Sequence, residues 1–387
     1  MKKSACLIPG IILLGAVMRV PFTAIPTILT DIASGLHVSI SNLGILTSLP
    51  LLMFALFSSL APAWAAKIGL EKLLALSLFV LLLGSLVRII SLPALYLGTL
   101  LVGFAIAMIN VLLPSLVSHY FPQKVGFYTA LYLTVMGLTT ALGSSLAVPI
   151  VNASSWQIFI LLLSGLIGLA TLVWLPNTRH NHRFAQAQTN GVATSLWRNK
   201  AALVFLVFGG LQSLLYYTLM AWLPTIAQTA GLSQVEAGLI AGAFSFISIP
   251  VSMVTPSLIA RLNQKGRIAF MTAVAGLSVL GLVGLLLPSA KFNFWLVISL
   301  LLGLSTSVLF PYMMLSFSLK TSNSQATARL SGMVQSGGYC IAATGPALLG
   351  YSFSAFHSWA VLVIVLLLAT LLMTLAIFAI EKHDTIL

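Results

Sequence analysis

The chain is 387 residues long, 59% hydrophobic and only 6% charged, with a mean hydropathy of +1.10. Such a composition excludes a soluble domain with an aqueous surface and makes lipid the solvent. Eighteen Lys and Arg against five Asp and Glu give a formal charge of +13 and a pI near 10.1. The basic residues fall in short breaks between apolar runs, so they read as orientation signals beside membrane lipid, and no nucleic-acid partner is expected.

Each crossing of the hydrocarbon core needs roughly 20 apolar residues, and twelve stretches qualify. The first, Leu7 to Thr30, lacks a small-residue cleavage site and is followed by further spans, so it reads as a span and not as a removable signal peptide. Next come Leu43 to Ala66, Leu73 to Ser91, Ala94 to Ser118, Phe127 to Val151 and Trp156 to Leu175. A polar stretch rich in Asn, Gln, His and Arg follows and is predicted to be a cytoplasmic linker with a short surface helix. The second set is Ala201 to Ile226, Ala237 to Ala260, Ile268 to Leu287, Phe294 to Leu319, Leu330 to Phe353 and Trp359 to Ile380. The expected fold is an all-α membrane protein of twelve transmembrane helices: an N-terminal six-helix bundle over 1–178, a linker over 179–200 and a C-terminal six-helix bundle over 201–387.

Threading from a cytoplasmic N-terminus puts fifteen of the eighteen Lys and Arg inside, among them Lys2, Lys3, Lys67, Lys72, Lys124, Arg179, Lys265 and Lys320, and only Lys291 outside. This bias predicts a multi-pass protein of the inner (cytoplasmic) cell membrane with both termini cytoplasmic. The halves also echo each other. Ile25 to Gly44 reads IPTILTDIASGLHVSISNLG, and Leu223 to Leu239 reads LPTIAQTAGLSQVEAGL. Both place Pro-Thr-Ile near the outer end of a span, then a Gly-Leu turn and a Ser able to cap the next helix. Parallel six-helix repeats are a transporter architecture with the substrate at midplane between the halves, and alternating access is the expected mechanism.

Five stretches carry a family resemblance: VMRVPFTAIPTIL in span one, ILTSLPLLMFAL in span two, INVLLPSLV in span four, SLLYYTLMAWLPTI in span seven and LSGMVQSGGYCIAATGPALLG in span eleven. On these the chain resembles the major facilitator superfamily, and within it the branch of bacterial cyanate and 2-nitroimidazole transporters, over essentially its whole length. The resemblance implies the major facilitator fold of two pseudo-symmetric six-helix bundles, with a cavity lined by spans one, four, seven and ten. Two signatures of the superfamily are altered. The usual Asp-Arg-x-Gly-Arg after span two stands as Ala66-Lys67-Ile68-Gly69-Leu70, without its acidic residue. Span five has Gly137 and Gly143 but no Gly-Pro-x-x-Gly-Gly, which weakens assignment as a proton antiporter for drugs.

Arg19 lies near the middle of span one, where a charge costs roughly 2.5 to 3.5 kcal/mol on insertion scales. On helical spacing Phe22, Thr23 and Pro26 share its face. No carboxylate falls in a span core: Asp31 and Glu236 are at outer boundaries, Glu71 in a cytoplasmic loop, Glu381 and Asp384 in the tail. One reading makes the guanidinium the positive pole of a substrate site, gripping a carboxylate, nitro group or small linear anion bidentately. The other has it bind backbone carbonyls freed near Pro21 and Pro26. Arg88, three residues from Ser91, reads mainly as a side chain that snorkels to the interface, with attraction of anions to the outer vestibule as the second reading.

Asn110 lies one turn before Pro114 in span four and is a substrate-ligand candidate. In span seven Gln212 with Tyr216, and Ser213 with Tyr217, are i, i+4 pairs, so at least one pair faces the interior. Aligning the Pro-Thr-Ile segments sets Tyr217 opposite Arg19 in the repeat. Gln335 and Tyr339 repeat the spacing in span eleven, beside Gly332, Gly337 and Gly338, which suit close helix packing. Trp222 and Pro224 are candidates for a gate at the outer end of span seven. His119, His180 and His182 read as solvated, and no cofactor or metal is expected. Neither Cys6 nor Cys340 implies a disulfide.

With no HExxH, GxSxG or Walker sequence, an enzyme and an ATP-driven pump lack chemistry. The expected function is secondary transport of a small anionic or dipolar organic solute, cyanate- or nitroimidazole-like, by alternating access at the interface of the two bundles. The alternative is a multidrug or nitroheterocycle exporter in which Met, Phe and Tyr bind apolar cargo and Arg19 is structural. A non-transporting sensor fits less well with two equivalent halves and no sizeable soluble domain. Facilitated diffusion, anion exchange and proton coupling all remain open, and a monomer is expected.

Overall fold

The structure, a computed structural model, describes residues 4–38, 43, 46, 49–183, 196–287 and 289–387. Its regular elements are all helical, and no strand occurs among the described residues. Span one is broken into α1 (Leu7–Val17), α2 (Val20–Thr23), a 3-10 turn (Ile25–Ile28) and α3 (Leu29–Leu36). Span two is α4 (Leu49–Phe57) and α5 (Ala61–Ile68), joined by a 3-10 turn. Spans three to six are α6 (Leu70–Val87), α7 (Leu92–Tyr120), α8 (Val125–Ala153) and α9 (Trp156–Trp174). Span seven is α10 (Lys200–Thr229), and span eight is α11 (Gln234–Phe246) followed by α12 (Ser248–Arg261). The remaining spans are α13 (Gln264–Gly284), α14 (Phe292–Leu319), α15 (Ser324–Phe356) and α16 (Ala360–Glu381). Ten helical segments among the described residues are long and apolar enough to cross a membrane. With the broken first span and the 33-residue α15 they make twelve spans in a multi-pass membrane protein.

The starts of these helices follow from short polar side chains that accept from otherwise orphaned N–H groups. Ser91 accepts from the Ala94 amide, Ser155 from Ile158 and Asn263 from Gly266. Ser233 forms a capping box with Glu236 at the head of α11, as expected for the second repeat. Its counterpart Ser39 lies outside the described residues, as do Lys2, Lys3, Gly44 and residues 184–195 of the linker. The turn between spans two and three needs a glycine: Gly69 has φ +99°, and the Asn181 side chain packs against it while donating to the Ile68 carbonyl.

Two compact units result. One is Met1–Val192 with Asn323–Gly332, and the other is Ala193–Ser322 with Met333–Leu387. In the first unit α1 packs on α8 closely enough for Thr139 Oγ1 to donate to the Ala16 carbonyl at 2.9 Å. In the second, α10 and α15 meet through glycines, and a Cβ added at Gly338 would lie 3.2 Å from the Gly210 nitrogen. Side chains such as Leu172, Leu280 and Leu371 stay exposed, as lipid-facing positions do.

Candidate functional site

In the first unit the sequence around Arg19 cannot sustain a helix. Pro21 and Pro26 each lack an N–H and crowd the carbonyl four residues earlier, so two prolines five apart leave room for one helical turn between interruptions. Arg19 stands at the first break, half-buried, with non-helical φ −136° and ψ −46°. Its carbonyl is well used: the amides of Phe22 and Thr23 donate to it at 3.1 Å and Thr23 Oγ1 at 3.0 Å. Thr23 thus remains one turn above Arg19, but its hydroxyl turns to the backbone, and Pro26 falls in the following 3-10 turn. Phe22 meets Phe54 of α4 edge-on at 6.0 Å. Asn110 is buried in α7, 6% exposed.

Arg88 corrects the sequence reading. It does not snorkel: it is 1% exposed, and Nη1 donates to the Pro21 carbonyl. Arg88 binds a backbone carbonyl of the broken stretch, that of Pro21, a kind of role left open for Arg19. The spacing of Arg88 from Ser91 suggested easy access to the interface, but inward packing on Gly98 holds its stem, since a Cβ there would meet Arg88 Cγ at 2.7 Å.

Two carboxylates assigned to loop and tail are also corrected. Glu71 lies in the first turn of α6, fully buried, accepting from Tyr120 Oη at 2.7 Å and from the His182 amide. Trp174 Nε1 donates to its carbonyl at 3.0 Å. His182 stacks on His119 at 3.9 Å, so His119 is not a solvated side chain but a half-buried one. In the second unit Glu381, 1% exposed at the end of α16, meets Arg267 Nε at 2.9 Å, Lys320 Nζ at 3.0 Å and Tyr312 Oη at 2.7 Å. The tail folds over this cluster: Ile386 N donates to the Lys320 carbonyl and Ser322 N to the Leu387 carbonyl, both at 2.7 Å. Burial of these acids was missed because each partner comes from a distant span. The available signal was a tyrosine toward the C-terminal end of the fourth and tenth helical spans, Tyr120 and Tyr312.

Gln212 and Ser213 are both buried and bond to each other, Nε2 to Oγ, at 2.6 Å. Gln212 also reaches the Gly209 carbonyl at 3.2 Å and Met313 Sδ at 3.7 Å, which ties it to α14. Tyr216 and Tyr217 are half-buried. Tyr216 faces Phe244 at 6.0 Å, and Tyr217 comes within 6.4 Å of Tyr339, so spans seven and eleven bring two of the candidate residues together. Gln335, 2% exposed, lies one turn before Tyr339 on α15. Trp222 packs against Trp359 at 5.5 Å, whose Nε1 donates to Thr229 Oγ1.

Twelve apolar spans in two six-span halves, with polar groups gathered at helix breaks and glycine crossings, are the architecture of a membrane transporter. Residues 10–328 match the Major Facilitator Superfamily, and the chain belongs to that family of transporters, which are not enzymes. It is 37% identical over 376 residues, 96% of this chain and 92% of the relative, to the uncharacterized transporter YycB of Bacillus subtilis (strain 168). It is 34% identical over 380 residues, 97% and 95% of the two chains, to the 2-nitroimidazole transporter of Escherichia coli (strain K12). Its fold is similar to that of the transporter FucP in the outward conformation (TM-score 0.77, 12% identity, 96% and 97% covered). It is likewise similar to the proton:xylose symporter XylE (TM-score 0.75, 11% identity, 97% and 95% covered).

Proposed function

We propose that this transporter carries a small anionic or dipolar organic solute, cyanate- or nitroimidazole-like, by alternating access, with binding groups drawn from both halves. The observation that carries the reading is Arg19, a half-buried guanidinium at the break of span one. It stands in a chain 34% identical to a 2-nitroimidazole transporter. A nitro group presents two partly negative oxygens in one plane, which suits the donor fork of a guanidinium. Thr23, Asn110, Gln212, Tyr216, Tyr217, Gln335 and Tyr339 are the accompanying ligands, with Arg88 and Trp222 flanking. The aromatic contact of Tyr217 with Tyr339 favours a second reading, export of a nitroheterocycle that stacks on these rings.

Lys and Arg side chains cluster at one turn in each unit, which supports the inner membrane with both termini in the cytoplasm. In the first, Lys67 and Lys72 flank a turn bonded to Asn181 and His182. In the second, Arg267 and Lys320 join the C-terminal tail. Both buried glutamates lie at helix ends, so a proton for symport would ride on the substrate, with facilitated diffusion as the uncoupled case. Uptake of an anion against an inside-negative potential costs about 2.3 kcal/mol per charge per 100 mV, whereas export costs nothing. The working unit is a monomer. The test is flux of cyanate and 2-nitroimidazole in proteoliposomes. Arg19→Gln should lose roughly tenfold or more in rate, about 1.4 kcal/mol or above, while melting like the wild type. Arg19→Lys should recover only part. Normal flux in Arg19→Gln would overturn the reading.

A further inference from the structure

Two Lys and Arg side chains are fully buried among the described residues, and they are treated very differently. Lys320 meets Glu381 Oε2 at 3.0 Å and the His383 carbonyl at 2.7 Å. Arg88 gives one nitrogen, Nη1, to the Pro21 carbonyl, while Nε and Nη2 are buried with no hydrogen-bond partner among the described residues. No carboxylate among them pairs with Arg88. A guanidinium does not release its proton in a protein, so the charge persists, and burying it without a counter-charge is strongly unfavourable. Val20, Ala24, Ile25 and Ile28, which flank Pro21, pack in an apolar cluster with Ile89 and Leu92.

The identity of the orphaned atoms is informative. Nε and Nη2 are adjacent on one edge of the guanidinium and present parallel N–H bonds, the fork that takes two oxygens of one planar group. The remaining nitrogen is spent on the backbone, and Gly98 leaves the stem no room to swing.

The geometry points to an occluded oxyanion site at Arg88, in which Nε and Nη2 hold the paired oxygens of a carboxylate, nitrate or nitro group. The door is the short segment α2, which lies against the guanidinium through Pro21 and is set off from the rest of span one by a break on either side. Binding there would supply the missing counter-charge and would favour the form in which α2 has moved. The site is independent of Arg19.

Nitrate and acetate titrated into the purified full chain at constant ionic strength, against chloride as the control, give the test through Tm. The wild type should show a saturable rise of about 5 °C with either oxyanion and none with chloride. Arg88→Met exchanges the orphaned cation for an apolar chain, so it should melt no lower than the wild type without oxyanion and show no rise. Arg88→Lys, a point charge without a fork, should show less than half of the rise. In an Arg19→Gln background the full rise should persist. An unchanged rise in Arg88→Met, no rise in the wild type, or an equal rise with chloride would each overturn the site. Failure of Arg88→Met to fold would make the guanidinium architectural and overturn it too. Loss of the rise with Arg19→Gln would move the anion to Arg19.

Discussion

In span one, Pro26-Thr27-Ile28 sits in a 3-10 turn after the chain has already broken at Arg19, whereas in span seven the matching Pro224-Thr225-Ile226 is held within an unbroken 30-residue helix. Span one carries a second proline, Pro21, where the aligned position in span seven holds Leu219. A single proline is absorbed when neighbouring helices grip the span, as α15 grips α10 through Gly209, Gly210 and Gly338. Two in close succession interrupt the helix, and side chains bind carbonyls along the interrupted stretch: Arg88 at Pro21, Thr23 at Arg19 and Thr27 at Ala24. Buried charge divides the same way. Among the described residues the first half leaves Arg88 without a carboxylate beside its broken span, while the second answers Lys320 and Arg267 with Glu381. The first half therefore holds the less settled structure, and it is where substrate-driven movement is expected.

The largest effect should come from breaking the second half's charge cluster. Glu381→Gln leaves Lys320 buried without a carboxylate and should cost about 3–5 kcal/mol. Glu71→Gln, whose partners are the Tyr120 hydroxyl and the His182 amide, should cost about 1–2 kcal/mol. Thermal unfolding of both variants in the same detergent checks this, and equal losses would erase the contrast. Next in size is the break itself. Pro21→Ala restores an amide able to reach the Val17 carbonyl and should slow flux about tenfold by closing the helix. Pro224→Ala should stay within about twofold. Initial rates in proteoliposomes decide, and a larger effect at Pro224 would reverse the assignment of the moving part. The smallest concerns packing. Gly338→Ala should cost about 1 kcal/mol by pushing on Gly210, whereas Gly165→Ala, with nothing within 4 Å of the added carbon, should stabilise by up to about 1 kcal/mol.

Most of the fold was legible in the order of the residues. The sixth span was expected from Trp156 to Leu175 and is found as Trp156–Trp174; the tenth was expected from Phe294 and begins at Phe292. The prolines at 21 and 26 announced a disturbed span one, yet helical spacing alone kept Pro26 on the face of Arg19, and the 3-10 turn removes it. Tyr217 and Tyr339 were named separately, and only the packing of α10 on α15 makes them neighbours.

What the sequence by itself determined is the set of quantities local to a segment: span length from apolar runs, caps from single Ser and Asn side chains, and membrane class from composition. Those depend on water, lipid and the nearest few residues. Only the tertiary structure decided the partners of the buried charges, because Tyr120 and Glu71 are 49 residues apart, Lys320 and Glu381 61, and Arg88 and Pro21 67. A charge near a span boundary can reach the interface or turn inward, and the choice rests on which distant helix fills the space beside it. Gly98 and the carbonyl of Pro21 turned Arg88 inward.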